Sequence, residues 1–317
     1  MKARGYARLI SAVMTKQVTI MSDTLSNSST NDNQNSGSTH AFDNNWKHRA
    51  EAHYNHWVKG EPTNQIQLAF HSHWQVFSDI LRTRGIDTGS VLEVGCGRGS
   101  LSSHFADNGW ACTLLDYSPS VLDIAQSIFT HNQHNAEFVT GDARNLPFED
   151  NSFDVVTSIG LLEHFDDIAT PIREQYRILK PGGVFLGYIV PERPDNVQRY
   201  FNWVNAIARA GYRLFSNTSE SAIKKEDIYR SDHYSPRYLD VISRLDVAAV
   251  ESMGLYPLPM ISHSPEFPFS LMPKPLEKAL TTLFKGALRL RHTLYKRHGW
   301  ICSEQMGQAF LVVFTKQ

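Results

Sequence analysis

The chain is predicted to be an α/β protein, with a parallel sheet and helices on both of its faces. Three observations carry this. Between residues 91 and 190 short apolar runs alternate with amphipathic segments, a glycine-rich turn follows the first apolar run, and acidic residues close successive runs. Strands separated by helices in this rhythm make a parallel sheet with right-handed crossovers. Such sheets bind ligands outside the carboxyl ends of their strands.

The elements follow in order. Residues 1–22 carry Lys2, Arg4, Arg8 and Lys16 and no acid, and residues 22–40 are dominated by Ser, Asn, Thr and Asp. The second stretch is too polar to bury anything and is expected to be disordered. The basic start suits either an organelle-targeting peptide or an over-extended start with Met14 or Met21 as initiator, and the second is the working expectation. The apolar stretch at 9–13 is too short for a secretory signal. Residues 1–41 are therefore set apart from one domain over 42–317, whose cofactor-binding core is 85–190.

Trp46, Ala50, Tyr54 and Trp57 recur at helical spacing before Gly60-Glu61-Pro62 breaks the pattern. A helix over 64–84 then aligns Ile66, Phe70, Trp74, Phe77, Ile80 and Leu81. A strand over 91–94, a helix over 101–108 ending at Gly109 and a strand over 111–115 ending at Asp116 come next. Ser118-Pro119 caps a helix over 121–131. Strands over 137–140 and 153–158, a helix over 172–179, a turn at Lys180-Pro181-Gly182-Gly183 and a strand over 184–190 complete the core.

Bulk properties exclude several classes. With 31 basic against 32 acidic residues, no field attracts nucleic acid. The longest apolar runs fall far short of a bilayer span. Cys96, Cys112 and Cys302 have neither zinc-ligand nor redox spacing, which points to a reducing, cytoplasmic setting. His71 and His73, two apart, face different sides of a helix, and no metal is expected.

The turn Gly95-Cys96-Gly97-Arg98-Gly99 places glycine first, third and fifth, with Ser100 sixth. A dinucleotide fingerprint needs first, third and sixth. Glu93, two residues earlier, would oppose a pyrophosphate. Both points lead away from NAD and towards a ligand with a positive centre and an adenosine. Asp116, about 20 residues on, can accept from both hydroxyls of a ribose. Asp142 could receive the adenine amine, and Glu93 is placed to face a cationic or amine-bearing ligand. Each acid could equally serve as a helix cap, but three at successive strand ends is hard to obtain from capping alone.

The segment resembles the class I S-adenosylmethionine-dependent methyltransferases, in the small-molecule, quinone-biosynthesis-like subgroup. The resemblance rests on Glu93-Val94-Gly95-Cys96-Gly97-Arg98-Gly99, Asp116-Tyr117-Ser118, Gly141-Asp142-Ala143 with Leu146-Pro147-Phe148, Phe153-Asp154-Val155-Val156 leading to Leu162-Glu163-His164, and the turn at 179–183. It covers roughly residues 88–190. It implies a Rossmann-like three-layer sandwich whose seven-stranded, mostly parallel sheet has one antiparallel strand, supplied by 308–314. It also implies S-adenosyl-L-methionine as cofactor, with S-adenosyl-L-homocysteine as product. Gly95, Cys96, Gly97 and Gly99 would contact the methionine part, Asp116 the ribose, and Tyr117 the adenine flank. Asp142 and Ala143 would hold the adenine edge, Ser158, Ile159 and Gly160 would form the floor near the sulfonium, and Tyr54 would cover the methionine carboxylate.

Methyl transfer from a sulfonium is an in-line displacement in which the protein aligns the reactants and excludes water. A base is needed only for a hydroxyl, an acidic carbon or a protonated amine. His164 is the first candidate base, with Glu163 beside it, against a purely structural role for both in ordering the loop. The acceptor is expected to be a small, partly apolar or aromatic molecule under two lid insertions. In 191–235, Val197, Phe201, Val204, Ala208, Gly211 and Phe215 form a stripe, and Tyr200, Phe201, Trp203, Tyr212, Tyr229 and Tyr234 supply lid aromatics. In 257–300, Leu276, Leu280, Leu283, Ala287, Leu288 and Leu294 form another, opposite Lys278, Lys285, Arg289, His292 and Lys296. The second helix either packs on its own protein or touches an anionic membrane through 275–297. A non-catalytic S-adenosylmethionine-binding regulatory subunit is the alternative function.

Overall fold

A computed structural model describes residues 56–215, 229–263 and 272–317. The expected disordered or targeting segment over 1–41, and the helical spacing from Trp46 to Tyr54, lie outside the described residues. The strands are β1 Ser90–Val94, β2 Ala111–Asp116, β3 Ala136–Thr140, β4 Phe153–Ile159, β5 Leu179–Ile189, β6 Val247–Leu255, β7 Ile301–Cys302 and β8 Ala309–Lys316. They form one sheet in the order β3-β2-β1-β4-β5-β8-β6-β7. Pairings from β3 through β5 are parallel, whereas β8 runs antiparallel to β5 and to β6, and β7 antiparallel to β6. The seven strands and single antiparallel strand expected from the resemblance become eight and two. The strand at 308–314 is found as β8, flanked on both sides. β6 escaped notice because most of it is half-exposed or exposed, which erases the alternation that marks a strand.

Residue alternation sorts the core into two layers. Ala309, Leu311 and Val313 of β8 join Val184, Leu186 and Tyr188 of β5 on one face. Phe310, Val312 and Phe314 join Phe185 and Ile189 on the other. This period of two is what a sheet buried on both sides requires. Helices α1 Gln65–Thr83, α2 Ser100–Asp107 and α3 Pro119–His131 cover the first face through Phe77, Leu81, Leu101, Phe105 and Phe129. Helix α4 Ala169–Ile178 covers the second through Ile172 and Ile178. Helix α5 is Asn202–Phe215, α6 is Ser235–Ile242 and α7 is Lys274–Tyr295.

The local signals operate as read. Asn64 caps α1, its side chain accepting from Gln67 N, and Ser118 caps α3 ahead of Pro119. The Lys180–Gly183 turn lies inside β5 as an irregularity: Phe153 pairs with Leu179, and the register resumes at Val155 with Val184.

One expectation about the insertions is corrected. On α7 the buried positions are Glu277, Thr281 and Phe284, while Leu276, Leu283 and Leu294 face outward. Glu277 turns inward because its carboxylate accepts from Gln65 N and Nε2 and from Met272 N, which ties α7 to the start of α1. In 191–235, Tyr200, Trp203 and Tyr229 are exposed, and Tyr234 donates to Asp195 at 2.7 Å beneath the Arg193 guanidinium. The side chains of Tyr212 and Phe215 lie outside the described residues.

Candidate functional site

The carboxyl ends of β1, β2 and β3 converge on the glycine turn. Gly95, Gly97 and Gly99 all adopt positive φ, at 69°, 53° and 65°. Here the absence of Cβ is required by space as well as by conformation. A Cβ on Gly95 would stand 2.8 Å from Leu161 Cδ1, and one on Gly99 would stand 2.6 Å from Leu114 Cδ2 and 2.8 Å from Phe129 Cε2. Gly95 N and Cys96 N both donate to Leu115 O, which fastens the turn to the end of β2.

Asp116 joins the first two loops. Its Oδ2 accepts from Gly97 N at 3.0 Å and its Oδ1 from Ser118 N at 3.1 Å. Burial raises its pKa, and the amide donors of Ser118, Gly97 and Tyr117 partly offset that. Each carboxylate oxygen keeps acceptor capacity beyond one bond. Tyr117, alongside, is 57 % exposed.

Asp142 ends the third strand, but the Arg144 guanidinium engages it through both oxygens, with Nη2 to Oδ2 at 2.7 Å, and Arg144 N donates to Oδ1. Burial acts to raise its pKa, and the Arg144 bonds bring it below the usual carboxylate value. An adenine amine reaching Asp142 therefore meets a carboxylate already shared with arginine. Ala143 is buried between the two.

Glu93 is turned into the protein. Its Oε2 accepts from Ser102 N and Oγ at the start of α2, so this oxygen is committed to the helix. Burial raises its pKa to about 7 against the Ser102 bonds. Cys96 is buried, and burial pushes its thiol well above the ordinary range, which removes it as a nucleophile.

The second half of the site lies where β4 and β5 end. Ser158 is fully buried, and its Oγ has no hydrogen-bond partner. Gly160 N donates to Tyr188 O. Glu163 sits in a short 3-10 turn, Leu162–His164, with no exposure at all. Its Oε1 accepts from Val190 N at 3.3 Å, and its Oε2 has no partner among the described residues. Burial raises its pKa to about 7, against the pull of Arg230 and backbone amides. Ser231 N donates to Glu163 O, so the segment over 229–231 holds the turn from outside.

His164 is fixed differently. Its Nδ1 lies 2.7 Å from Tyr229 O, which assigns the proton to Nδ1 in the neutral ring. Its Nε2 is 4.0 Å from Glu163 Oε1. Burial lowers its pKa to about 4, with the Tyr229 carbonyl opposing and Arg230 assisting. Glu163 and His164 thus sit side by side after β4, whereas Asp116 and Asp142 follow β2 and β3.

Several residues here were not foreseen. His56 Nδ1 lies 3.1 Å from Ser100 Oγ, immediately after the glycine turn, with its ring stacked on Phe70 at 5.8 Å. Burial and Arg98 lower its pKa to about 3. Tyr54, the expected cover, lies outside the described residues. A ring cluster also forms near the carboxyl ends of β5 and β6. His73 lies 4.4 Å from Tyr188 and 5.4 Å from Trp300, and Tyr256 stacks on Trp300 at 4.6 Å. Trp300 Nε1 donates to His73 Nδ1 at 3.0 Å. No sequence spacing links residues 227 positions apart, so this pairing had no local signal. Among the described residues no group of three His, Cys, Asp or Glu side chains is placed to hold a metal ion.

The family described as a methyltransferase domain matches residues 92–187. Demethylmenaquinone methyltransferase of Staphylococcus epidermidis is 36 % identical over 164 residues, and that of Staphylococcus aureus 32 %. Each alignment covers 50 % of this chain and 66 % of the relative, just short of two thirds of its length. The solved structure of a protein described as a putative sarcosine dimethylglycine methyltransferase from Galdieria sulphuraria shares the fold. It has a TM-score of 0.53 and 15 % identity, over 87 % of this chain and 98 % of that one.

Proposed function

With a class I S-adenosylmethionine-dependent methyltransferase domain at its centre, this chain, we propose, is an enzyme that methylates a small, partly apolar or aromatic acceptor, at an atom that must lose a proton. The observation that carries the proposal is Glu163, a fully buried carboxyl with one unpartnered oxygen beside Gly160 and Val190, where two central strands end.

The residues present fit the cofactor. A cradle in which added Cβ atoms would collide, and the Gly97–Asp116 link, leave backbone and carboxylate to meet it. The glycine turn would hold the methionine part, Asp116 the ribose hydroxyls, and Asp142 with Ala143 the adenine edge. S-adenosylmethionine supplies an electrophilic methyl carbon there. The chain's own contribution is alignment, exclusion of water and disposal of the proton.

Glu163 is the better proton acceptor of the pair. A carboxyl raised to about 7 is poised near neutral pH, whereas an imidazole lowered to about 4 is a weak base. His164, anchored to Tyr229 O, keeps Glu163 company and bounds its pocket. A flat, apolar acceptor is proposed by analogy with the relatives, since the His73, Tyr188 and Trp300 rings are themselves buried against one another in the core. The demethylmenaquinone acceptor named for the relatives is consistent with such a ligand.

The test incubates the full chain with methyl-labelled S-adenosylmethionine and a metabolite extract, and follows label and S-adenosylhomocysteine. The expected result is one labelled small molecule, with turnover rising through a midpoint near 7. Glu163→Gln is expected to lower kcat by roughly 10²–10⁴ with S-adenosylhomocysteine affinity kept. Equal turnover in that variant removes the base. Tight S-adenosylhomocysteine binding with no turnover on any extract would make the chain a regulatory subunit.

A further inference from the structure

Residues 56–63 contain no helix or strand, and no backbone hydrogen bond joins them to another element among the described residues. Side chains carry their attachment, and it converges on the glycine turn. His56 Nδ1 meets Ser100 Oγ, one residue past Gly99, and its ring stacks on Phe70. Trp57 is buried, with the His134 ring edge-on to it at 4.6 Å and the His104 ring at 6.5 Å. His134 leans in turn on Phe129, a ring that a Cβ on Gly99 would strike. His71 of α1 lies 6.0 Å from His104 of α2. The buried Nε2 of His104 and Nδ1 of His134 have no hydrogen-bond partner among the described residues. Few charges face these rings. Arg98 faces His56, Asp107 and Lys59 face His134, and Glu61 and Lys285 face His71. His104 faces only the imidazoles of His71 and His134. Asp107 lies 3.8 Å from both Lys59 Nζ and His134 Nε2, so the cation of this segment and the ring beneath it share one carboxylate.

We propose that residues 56–63 are a strap over the glycine turn whose seating is switched by proton uptake: it is seated while the imidazoles within and beneath it are neutral, and released as they charge. What the strap does to the cofactor rests on the reading of that turn as the S-adenosylmethionine cradle; the seating itself does not. A charged imidazole under Trp57 would stand among rings with no counter-ion against His104, and a buried charge without a partner is costly. Release returns the ring to water, where it protonates near 6.5. Burial holds His56 and His104 at about 3 in the seated form, with Arg98 adding to the effect at His56, and it also lowers His71 and His134. The seated form therefore binds fewer protons. Seating is full above about 6.5 and weakens as pH falls below that value, down towards about 3. Between pH 7.5 and 5.5 each of His56 and His104 lowers the seating constant roughly tenfold, about a hundredfold together.

Fluorine NMR of the full chain labelled with 5-fluorotryptophan reads the strap, with the Trp57 line assigned through Trp57→Phe. As pH falls from 7.5 to 5.5 that line is expected to move to a solvent-exposed position. The lines of Trp110 and Trp300, both buried in the core, are expected to stay. His56→Gln and His104→Gln, which cannot charge, should each cut the hundredfold change to about tenfold. His131→Gln, at an exposed position on α3, should leave it whole. A Trp57 line unmoved over that range, or one that moves only together with Trp110 and Trp300, would overturn the proposal. So would a double variant, His56→Gln with His104→Gln, that responds to pH as wild type does. Calorimetry with S-adenosylhomocysteine separates the two readings. Affinity that falls with the seated fraction supports control of the cradle, and equal affinity at both pH values removes it. Absence of binding at pH 7.5 would overturn the cofactor reading, while the fluorine line still decides the strap.

Discussion

Replacing Gly99 by alanine probes the close approach on which the glycine turn is built. Two costs add. Gly99 lies at φ 65°, where an L side chain costs about 1–2 kcal/mol. The added Cβ would also stand 2.6 Å from Leu114 Cδ2 and 2.8 Å from Phe129 Cε2. Both neighbours are buried in the core behind β2 and α3, so neither can move freely. Overpacking of such a core costs about 1–3 kcal/mol, which gives roughly 2–5 kcal/mol in all. Gly109 supplies the control, since it has φ 81° and nothing within 4 Å of an added Cβ. Gly109→Ala therefore bears only the conformational part, about 1–2 kcal/mol. Urea denaturation of both variants beside the wild type isolates the packing part as their difference. If Gly99→Ala loses no more stability than Gly109→Ala, the turn does not lean on Leu114 and Phe129, and the account of why glycine stands there is wrong.

Three other outcomes follow from the geometry. Asp116→Ala removes the acceptor of Gly97 N and Ser118 N and should weaken S-adenosylhomocysteine binding by about 1–3 kcal/mol in calorimetry; unchanged affinity would withdraw the ribose assignment. Glu277→Ala strips the partners of Gln65 N and Met272 N and should destabilise the protein by roughly 3 kcal/mol, whereas a surface-like loss near zero would deny the joint between α7 and α1. Glu163 has a folded pKa raised from 4.5 to about 7, so the folded state holds its proton more tightly and stability falls as pH rises across that window, by roughly 3 kcal/mol. Glu163→Gln should thus gain stability over wild type between pH 5 and 8, and a pH-independent difference in melting temperature would contradict the buried carboxyl.

The half of the candidate site proposed to hold the cofactor was legible in position because its signals are local. The turn glycines, Asp116 and Asp142 sit where strands end, and alternation with amphipathic helices places those ends together. The acceptor half was less so. Glu163 and His164 are adjacent in sequence, yet nothing there distinguishes them. Their different proton affinities come first from burial beneath segments far along the chain, which raises the carboxyl and lowers the imidazole, with Arg230, Val190 N and Tyr229 O as lesser influences. α7 misled for a related reason. Its leucines and lysines recur at helical spacing, but which row is buried depends on the partner opposite, and Gln65 draws Glu277 inward.

The chain by itself determined the alternation of strands and helices, the glycine turn and the acids that close the strands, because each is written in consecutive residues and a backbone period. The tertiary structure alone decided that two strands join beyond β8, that Glu93 serves α2, that Arg144 occupies Asp142, and that the leucines of α7 face outward. The added strands and the turning of α7 are outcomes of contacts between residues far apart in the chain, while the Glu93 and Arg144 contacts are short-range choices among partners that composition leaves open until the sheet has assembled.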